Sequence, residues 1–308
     1  MILMERTEKS FGAIDGKDIR PDHLATLSIH QINQLHVSTD SGIVALQELF
    51  KVSTDRHPLE PFLVIEGDCE QIEGIGLGMK SGTLCILGNV GDSAAKSMAG
   101  GTLIISGNAR DQLGAGMTDG MIYIVGNCRH QLASPLPGRK SGIRGGDILV
   151  AGDVGDRACE RMRRGTVFVA GSAGDYLAPQ MIAGSLVVMG EIGGKWAGGM
   201  KRGSIILGQN FSSEPCASLS EAGEFELSFL PLIWKHVEAR QNEALAALHL
   251  AIAFAKSATN RSIRETTMPI RIPRTRWVQR QIADMNCNGR GEILVLRRVS
   301  SPSYDASQ

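Results

Sequence analysis

The chain has 308 residues, 32 Lys and Arg against 32 Asp and Glu, and 5% aromatic residues. It therefore has no global charge with which to hold nucleic acid or a membrane surface, and no run approaches the roughly 20 apolar residues of a membrane span. The six cysteines (69, 85, 128, 159, 216 and 287) show no paired spacing, so neither a zinc site nor a disulfide framework is indicated.

Residues 1–22 are polar and poorly patterned, which predicts a loosely attached arm. Charges stand where a secretory leader would need an apolar stretch, and with the unpaired thiols this predicts a cytoplasmic protein. LSIHQINQLHV (27–37) and SGIVALQELFKV (41–52) read as short strands about a turn at Asp40-Ser41-Gly42. Two prolines in HPLEPF (57–62) mark the way into the next region.

That region repeats itself. Thr102–Gly120, TLIISGNARDQLGAGMTDG, recurs with the same length at Thr83–Gly101, Asp147–Gly165, Thr166–Gly184 and Ser185–Gly203. Leu63–Gly82 is one residue longer and Met121–Gly146 seven longer, while a further copy opens at Ser204 and fades. A fixed 19-residue period predicts a solenoid of about seven coils. The second column (Leu84, Leu103, Ile122, Ile148, Val167, Leu186, Ile205) and the fourth (Ile86, Ile105, Ile124, Val150, Val169, Val188, Leu207) share one strand face and fill the interior. The third column points outward, yet it holds Cys85, Ile104, Tyr123, Leu149, Phe168, Val187 and Ile206. Such a stripe needs a cover, either another part of this chain or another subunit. Ile104, Tyr123, Leu149, Phe168 and Val187 are accordingly the candidate partner-facing residues.

Gly88, Gly107, Gly126, Gly152, Gly171 and Gly190 end the strands, where the bend is expected to demand positive φ. A methionine column (79, 98, 117, 162, 181, 200), interrupted by Ile143, reads as flexible core filler rather than a ladder for soft metal. No metal ligands are assigned. The aspartates 92, 111, 156 and 175 fall where a carboxylate bonds backbone N–H groups in a turn.

The long copy extrudes a loop with two prolines and brings Arg139, Lys140 and Arg144 near Arg157, Arg161, Arg163 and Arg164 of the next coil. These seven form either a site for a carboxylate- or phosphate-rich ligand or partner, or a solvated face balanced by Asp147, Asp153, Asp156 and Glu160. No catalytic constellation stands out: Cys128 and His130 are a weak nucleophile–base pair, and the remaining histidines are scattered. Beyond Phe211, EFELSFLPLIW (224–234) reads as a cap. Apolar residues at helical spacing predict a helix over 234–257 that covers part of the stripe or caps the coil end. Six arginines within 261–280 predict a solvated stretch or one that meets an acidic surface, and the last residues, SSPSYDASQ, predict disorder. The expected divisions are 1–61, 62–210, 211–257 and 258–308.

The G-x-x-G-x-x-x-G repeat resembles the right-handed β-helix domain that ends the glutamate synthase large subunit. Residues 24–234 are more similar to the C-type subunit family of formylmethanofuran dehydrogenase, through the ELF-x-V lead-in (48–52), the loop insertion and the ELSFL exit (226–230). Within that family, SGIRGGDILVAGDVGDRACERMRRGTVFVAG (141–171) is most similar to the corresponding subunit in the bacterial formyltransferase/hydrolase complex. The resemblance implies a mainly β chain: a right-handed parallel β-helix with a small N-terminal region and a C-terminal helical extension. It also implies a scaffold subunit with no catalytic residues or cofactor of its own. The implied chemistry, formyl transfer from tetrahydromethanopterin to a methanofuran-type carrier and hydrolysis to formate, would reside on a formyltransferase subunit and an amidohydrolase-like subunit. The carrier's polyglutamate tail is then a candidate ligand for the basic cluster. Alternatives are a tungsten or molybdenum dehydrogenase subunit and a glutamate-synthase-like interaction domain.

Overall fold

The structure is a computed structural model that describes residues 1–7, 9, 11–55, 60–209, 211–259 and 269–297. In the N-terminal part lie β1 (Ile2–Arg6), β2 (Ile14–Asp15), α1 (Pro21–Leu24), α2 (Ile29–Asn33), β3 (His36–Thr39), β4 (Gly42–Ala45), α3 (Leu46–Leu49) and β5 (Phe50–Thr54). The repeats supply β6 (Phe62–Glu66), β7 (Ile72–Glu73), β8 (Thr83–Leu87), β9 (Ala99–Ile105), β10 (Asp119–Ile124), β11 (Arg144–Val150), β12 (Arg164–Val169), β13 (Ser185–Val188) and β14 (Ser204–Leu207). There follow β15 (Ser220–Glu226), α4 (Leu230–Thr259), β16 (Trp277–Ala283) and β17 (Gly291–Leu296).

One sheet of 13 strands organises the chain, in the order β15-β16-β17-β14-β13-β12-β11-β10-β9-β8-β6-β1-β5. From β6 to β14 each repeat pairs parallel with the next, and the columns stay in register: Leu103 lies beside Ile122, Ile122 beside Ile148 and Ile148 beside Val167. The copies also meet along a second line. Parallel bridges join Cys69, Val90, Ala109, Cys128, Val154, Ala173 and Ile192 in succession. A constant period is what makes both lines possible, since each returning strand is offset by one strand spacing, about 4.8 Å.

The strand-end glycines do a different job from the one expected. Gly190 and its counterparts lack positive φ; instead an added Cβ at Gly190 would sit 2.6 Å from the backbone of Gly171 in the preceding copy. Close approach of two backbones, not a left-handed bend, forbids a side chain there. Positive φ falls on the glycine that closes each copy, just before the next strand's first column. At Gly146, for example, φ is +83° and an added Cβ would meet Met117 Cε at 2.5 Å. The methionine column is thus buried core packed beneath the glycines of the following copy.

The sheet carries an apolar layer on each face. The second and fourth columns join the methionines in one cluster, which continues into Met4, Leu24, Leu46 and Phe50 of the N-terminal part. The third column forms the second cluster, with α4 as its cover: Leu230, Trp234, Val237, Ala244, Leu248, Ala251 and Ala255 all lie against it. These positions, with buried Gln241, recur at steps of three and four along the helix. The 30 residues of α4 give a length of about 45 Å, enough to cross roughly nine strands. The expected helix over 234–257 is therefore present and longer at both ends.

Two expectations for the N-terminal part are overturned. Residues 1–22 are no loose arm, because β1 inserts between β5 and β6 with Leu3 and Met4 fully buried. The stretch 27–37 begins as α2 rather than a strand: Ser28 caps it, and Gln31 accepts from the Ser28 N–H in return. In the arginine-rich stretch Arg271, Arg274 and Arg276 are exposed, while Arg261 and Arg264 lie outside the described residues. β16 and β17 extend the sheet beyond β14, Arg280 pairs with Glu292, and Arg276 lies 3.7 Å from Glu226. The expected disorder at SSPSYDASQ lies outside the described residues. Among the described residues, no helix is long and apolar enough to cross a membrane.

Candidate functional site

The insertion after Cys128 places its basic residues beside the copy that follows. Backbone bonds fix the base of the site: Arg144 N–H donates to Met117 O at 2.8 Å, and Arg163 N–H donates to Ile143 O at 2.9 Å. Arg144 and Arg164 are partners across β11 and β12. Two adjoining depressions result. One, of about 720 Å³, is lined by the loop residues Leu136, Arg139 and Lys140 with Ser97, Thr118 and Arg144. The other, of about 330 Å³, is lined by Thr118, Arg144, Arg163 and Arg164.

The seven expected basic residues divide here. Arg157 donates to Glu160 at 2.9 Å, and Arg161 donates to Gln180 Oε1 at 2.8 Å with Glu160 3.9 Å away. Arg139, Lys140, Arg144, Arg163 and Arg164 line the depressions, and no carboxylate of the described residues lies within 4.0 Å of them. Of the four acids expected to balance the group, only Glu160 does so. Asp153 and Asp156 are taken up by the turns, and Asp147 faces α4.

Two ladders of side chains stitch successive turns together. In one, the N–H groups of Asn108, Asn127, Asp153, Ser172 and Glu191 each donate to the side chain one copy earlier, starting at Asn89. In the other, Asp111, His130, Asp156, Asp175 and Gly194 do the same, starting at Asp92. The aspartate column is thus a backbone-bonding device. His130 replaces aspartate in the inserted copy, its Nδ1 accepting from the Asp156 N–H at 3.0 Å. Cys128 belongs to the interior, and burial raises its thiol above the ordinary value of 9.0, so it makes no accessible nucleophile with His130. Burial likewise pushes Cys69 and Cys159 up to about 12.

A polar clamp between α4 and the sheet is a feature the sequence did not announce. Buried Asp147 accepts from Arg240 Nε at 2.9 Å through Oδ2, and its Oδ1 lies 2.9 Å from His236 Nε2. Partial burial opposes the charge of Arg240, but the bonds to Glu243 and Asp147 outweigh it and raise its pKa. One signal was available: Asp147 is the sole carboxylate in a first column of Thr83, Thr102, Met121, Thr166, Ser185 and Ser204.

The partner-facing expectation for the stripe is corrected by the same helix. Ile104, Tyr123, Leu149, Phe168 and Val187 are at most 1% exposed, and α4 of this chain is what covers them. Burial pushes the Tyr123 hydroxyl up to about 12. Among the described residues, no group of three or more His, Cys, Asp or Glu is placed to hold a metal ion.

No protein-family model matches the chain, and no curated protein matches it. Among solved structures it is similar to a chain of the formyltransferase/hydrolase complex FhcABCD from Methylorubrum extorquens, determined by X-ray crystallography in complex with methylofuran. The TM-score is 0.77 at 25% sequence identity, over 96% of this chain and 100% of that one.

Proposed function

We propose that this chain is the C-type scaffold subunit of a formyltransferase/hydrolase complex acting on one-carbon units carried by a methanofuran-type cofactor. The observation that carries this reading is the similarity to a chain of such a complex along nearly the whole length of both chains. Coverage of that extent takes in the regions on both sides of the repeats, so the likeness goes beyond a common repeat. In this reading the coils wind as a right-handed parallel β-helix. The two lines of parallel contact between copies support the winding, and the general handedness of parallel crossovers supports its sense. The formyl chemistry belongs to formyltransferase and amidohydrolase-like partners, while this chain supplies a stiff body that fixes their separation. Tetrahydromethanopterin enters only as the donor's carrier on a partner.

Co-expression of the tagged full chain with those two subunits tests the reading. One stoichiometric assembly that elutes together and releases formate is the expected result. A chain that elutes alone in the presence of both partners overturns it.

A further inference from the structure

Away from the strands it covers, α4 borders a cavity whose lining is mixed rather than apolar. Residues 269–276 run beside the helix without forming helix or strand, and two side chains tie them to it. Gln241 Oε1 accepts from the Ile270 N–H at 2.7 Å, and Trp234 Nε1 donates to Thr275 O at 3.2 Å. Between the two elements lies a space of about 370 Å³, walled by Trp234, Gln241, Ile270, Ile272 and Pro273. Gln241 is 6% exposed and Trp234 5%, so the floor is made of side chains held in place. The bond to Ile270 occupies the oxygen of the Gln241 amide and leaves its N–H groups with no partner among the described residues. The rim is cationic: it carries Lys235, Arg274 and Arg276 against Glu238. Of these four, only Arg276 has an opposite charge within 4.0 Å among the described residues, Glu226 at 3.7 Å.

We infer that this cavity binds a small, flat organic anion, an aromatic ring system bearing a carboxylate or sulfonate. Its volume of about 370 Å³ falls in the range of roughly 300–1,000 Å³ that small-molecule sites occupy, which suits neither a folded partner nor a nucleic-acid strand. Trp234 and Pro273 give flat apolar walls against which a ring packs well. Lys235 and Arg274 set positive charge at the mouth, and a guanidinium also lies favourably over an aromatic face. The free N–H groups of Gln241 call for an acceptor on the part that enters deepest. A cationic ligand would meet the wrong charge, and a pure hydrocarbon would leave the buried amide unmet. The walls belong to this chain, so the ligand is independent of the proposed place in a complex.

The test is fluorescence titration of the full chain with anilinonaphthalene sulfonate, a flat aromatic anion, and with N-phenylnaphthylamine, the same ring system without the charge. The sulfonate should saturate a single site and bind more tightly than the amine. Replacing Lys235 and Arg274 together by alanine should weaken the sulfonate about fivefold or more and the amine less than about twofold. Asn242→Trp, on the rim, should block both probes by filling the mouth. Leu232→Ser, at an apolar residue that is 69% exposed and outside the lining, should change neither. All four positions are exposed, and circular dichroism checks that the variants stay folded. Failure of the sulfonate to saturate a site, equal affinity for the two probes, or a loss in Leu232→Ser that matches the rim variants would each overturn the inference. None of these outcomes bears on co-elution with partner subunits.

Discussion

The two faces of the central sheet are closed in different ways. The inner face is closed by repetition: each copy's second and fourth columns, its methionine and its turn ladders rest on the copies before and after. The outer face is closed mainly by one element, α4, which crosses the strands beside Ile270 and Ile272 and is pinned by the Asp147 clamp. A distributed contact resists local damage, whereas a single helix concentrates it. Opening the outer face should therefore be a local event, with a free energy below that of unfolding the repeats.

Phe168→Ala removes one of the bulkiest fully buried side chains of the outer cluster beneath α4, and should cost about 3–5 kcal/mol in urea unfolding. On the inner side, Gly190→Ala forces a Cβ into the Gly171 backbone and should cost about 1–3 kcal/mol, spread over the adjoining copies. Asp147→Ala should cost about 1–2 kcal/mol, with faster amide exchange confined to α4. Equal acceleration in the repeats would remove the contrast between the faces. His130→Ala should cost about 1 kcal/mol, and His130→Asp, which restores the ladder acceptor, should keep most of it; thermal melts decide.

The buried thiols, spread over both faces, give an effect that is felt only above pH 9. Their native pKa values are raised by burial, to about 12 for Cys69 and Cys159, so the native state keeps protons that an unfolded thiol, near 9.0, releases. Stability from this source is complete below pH 9 and falls as pH rises through the window from about 9 to about 12. Native labelling at pH 8 should modify only the exposed Cys216 and Cys287. Rapid modification of Cys128 would show that the interior opens.

The repeats were legible because every copy gives the same answer, and misreading one copy is corrected by six others. The terminal strands had no such redundancy. MILMER has an apolar half that the following charges obscure, and EILVL in β17 falls outside the period, so neither announced that it would join the sheet. The outer stripe was legible, but its cover was not. A helix with apolar residues at steps of three and four names the face it buries without naming what lies beneath. The basic group was visible as a run of arginines, while its division depended on Glu160 and on where the inserted loop returns.

The most direct measurement is amide hydrogen exchange of α4 in the isolated chain and again with the partner subunits bound. Residues 234–255 should already be protected in the isolated chain and change little on assembly, since α4 has docked on Ile104, Tyr123 and Phe168. An α4 that exchanges freely alone and gains protection only with partners would contradict this, and would return the stripe to the role of a subunit interface.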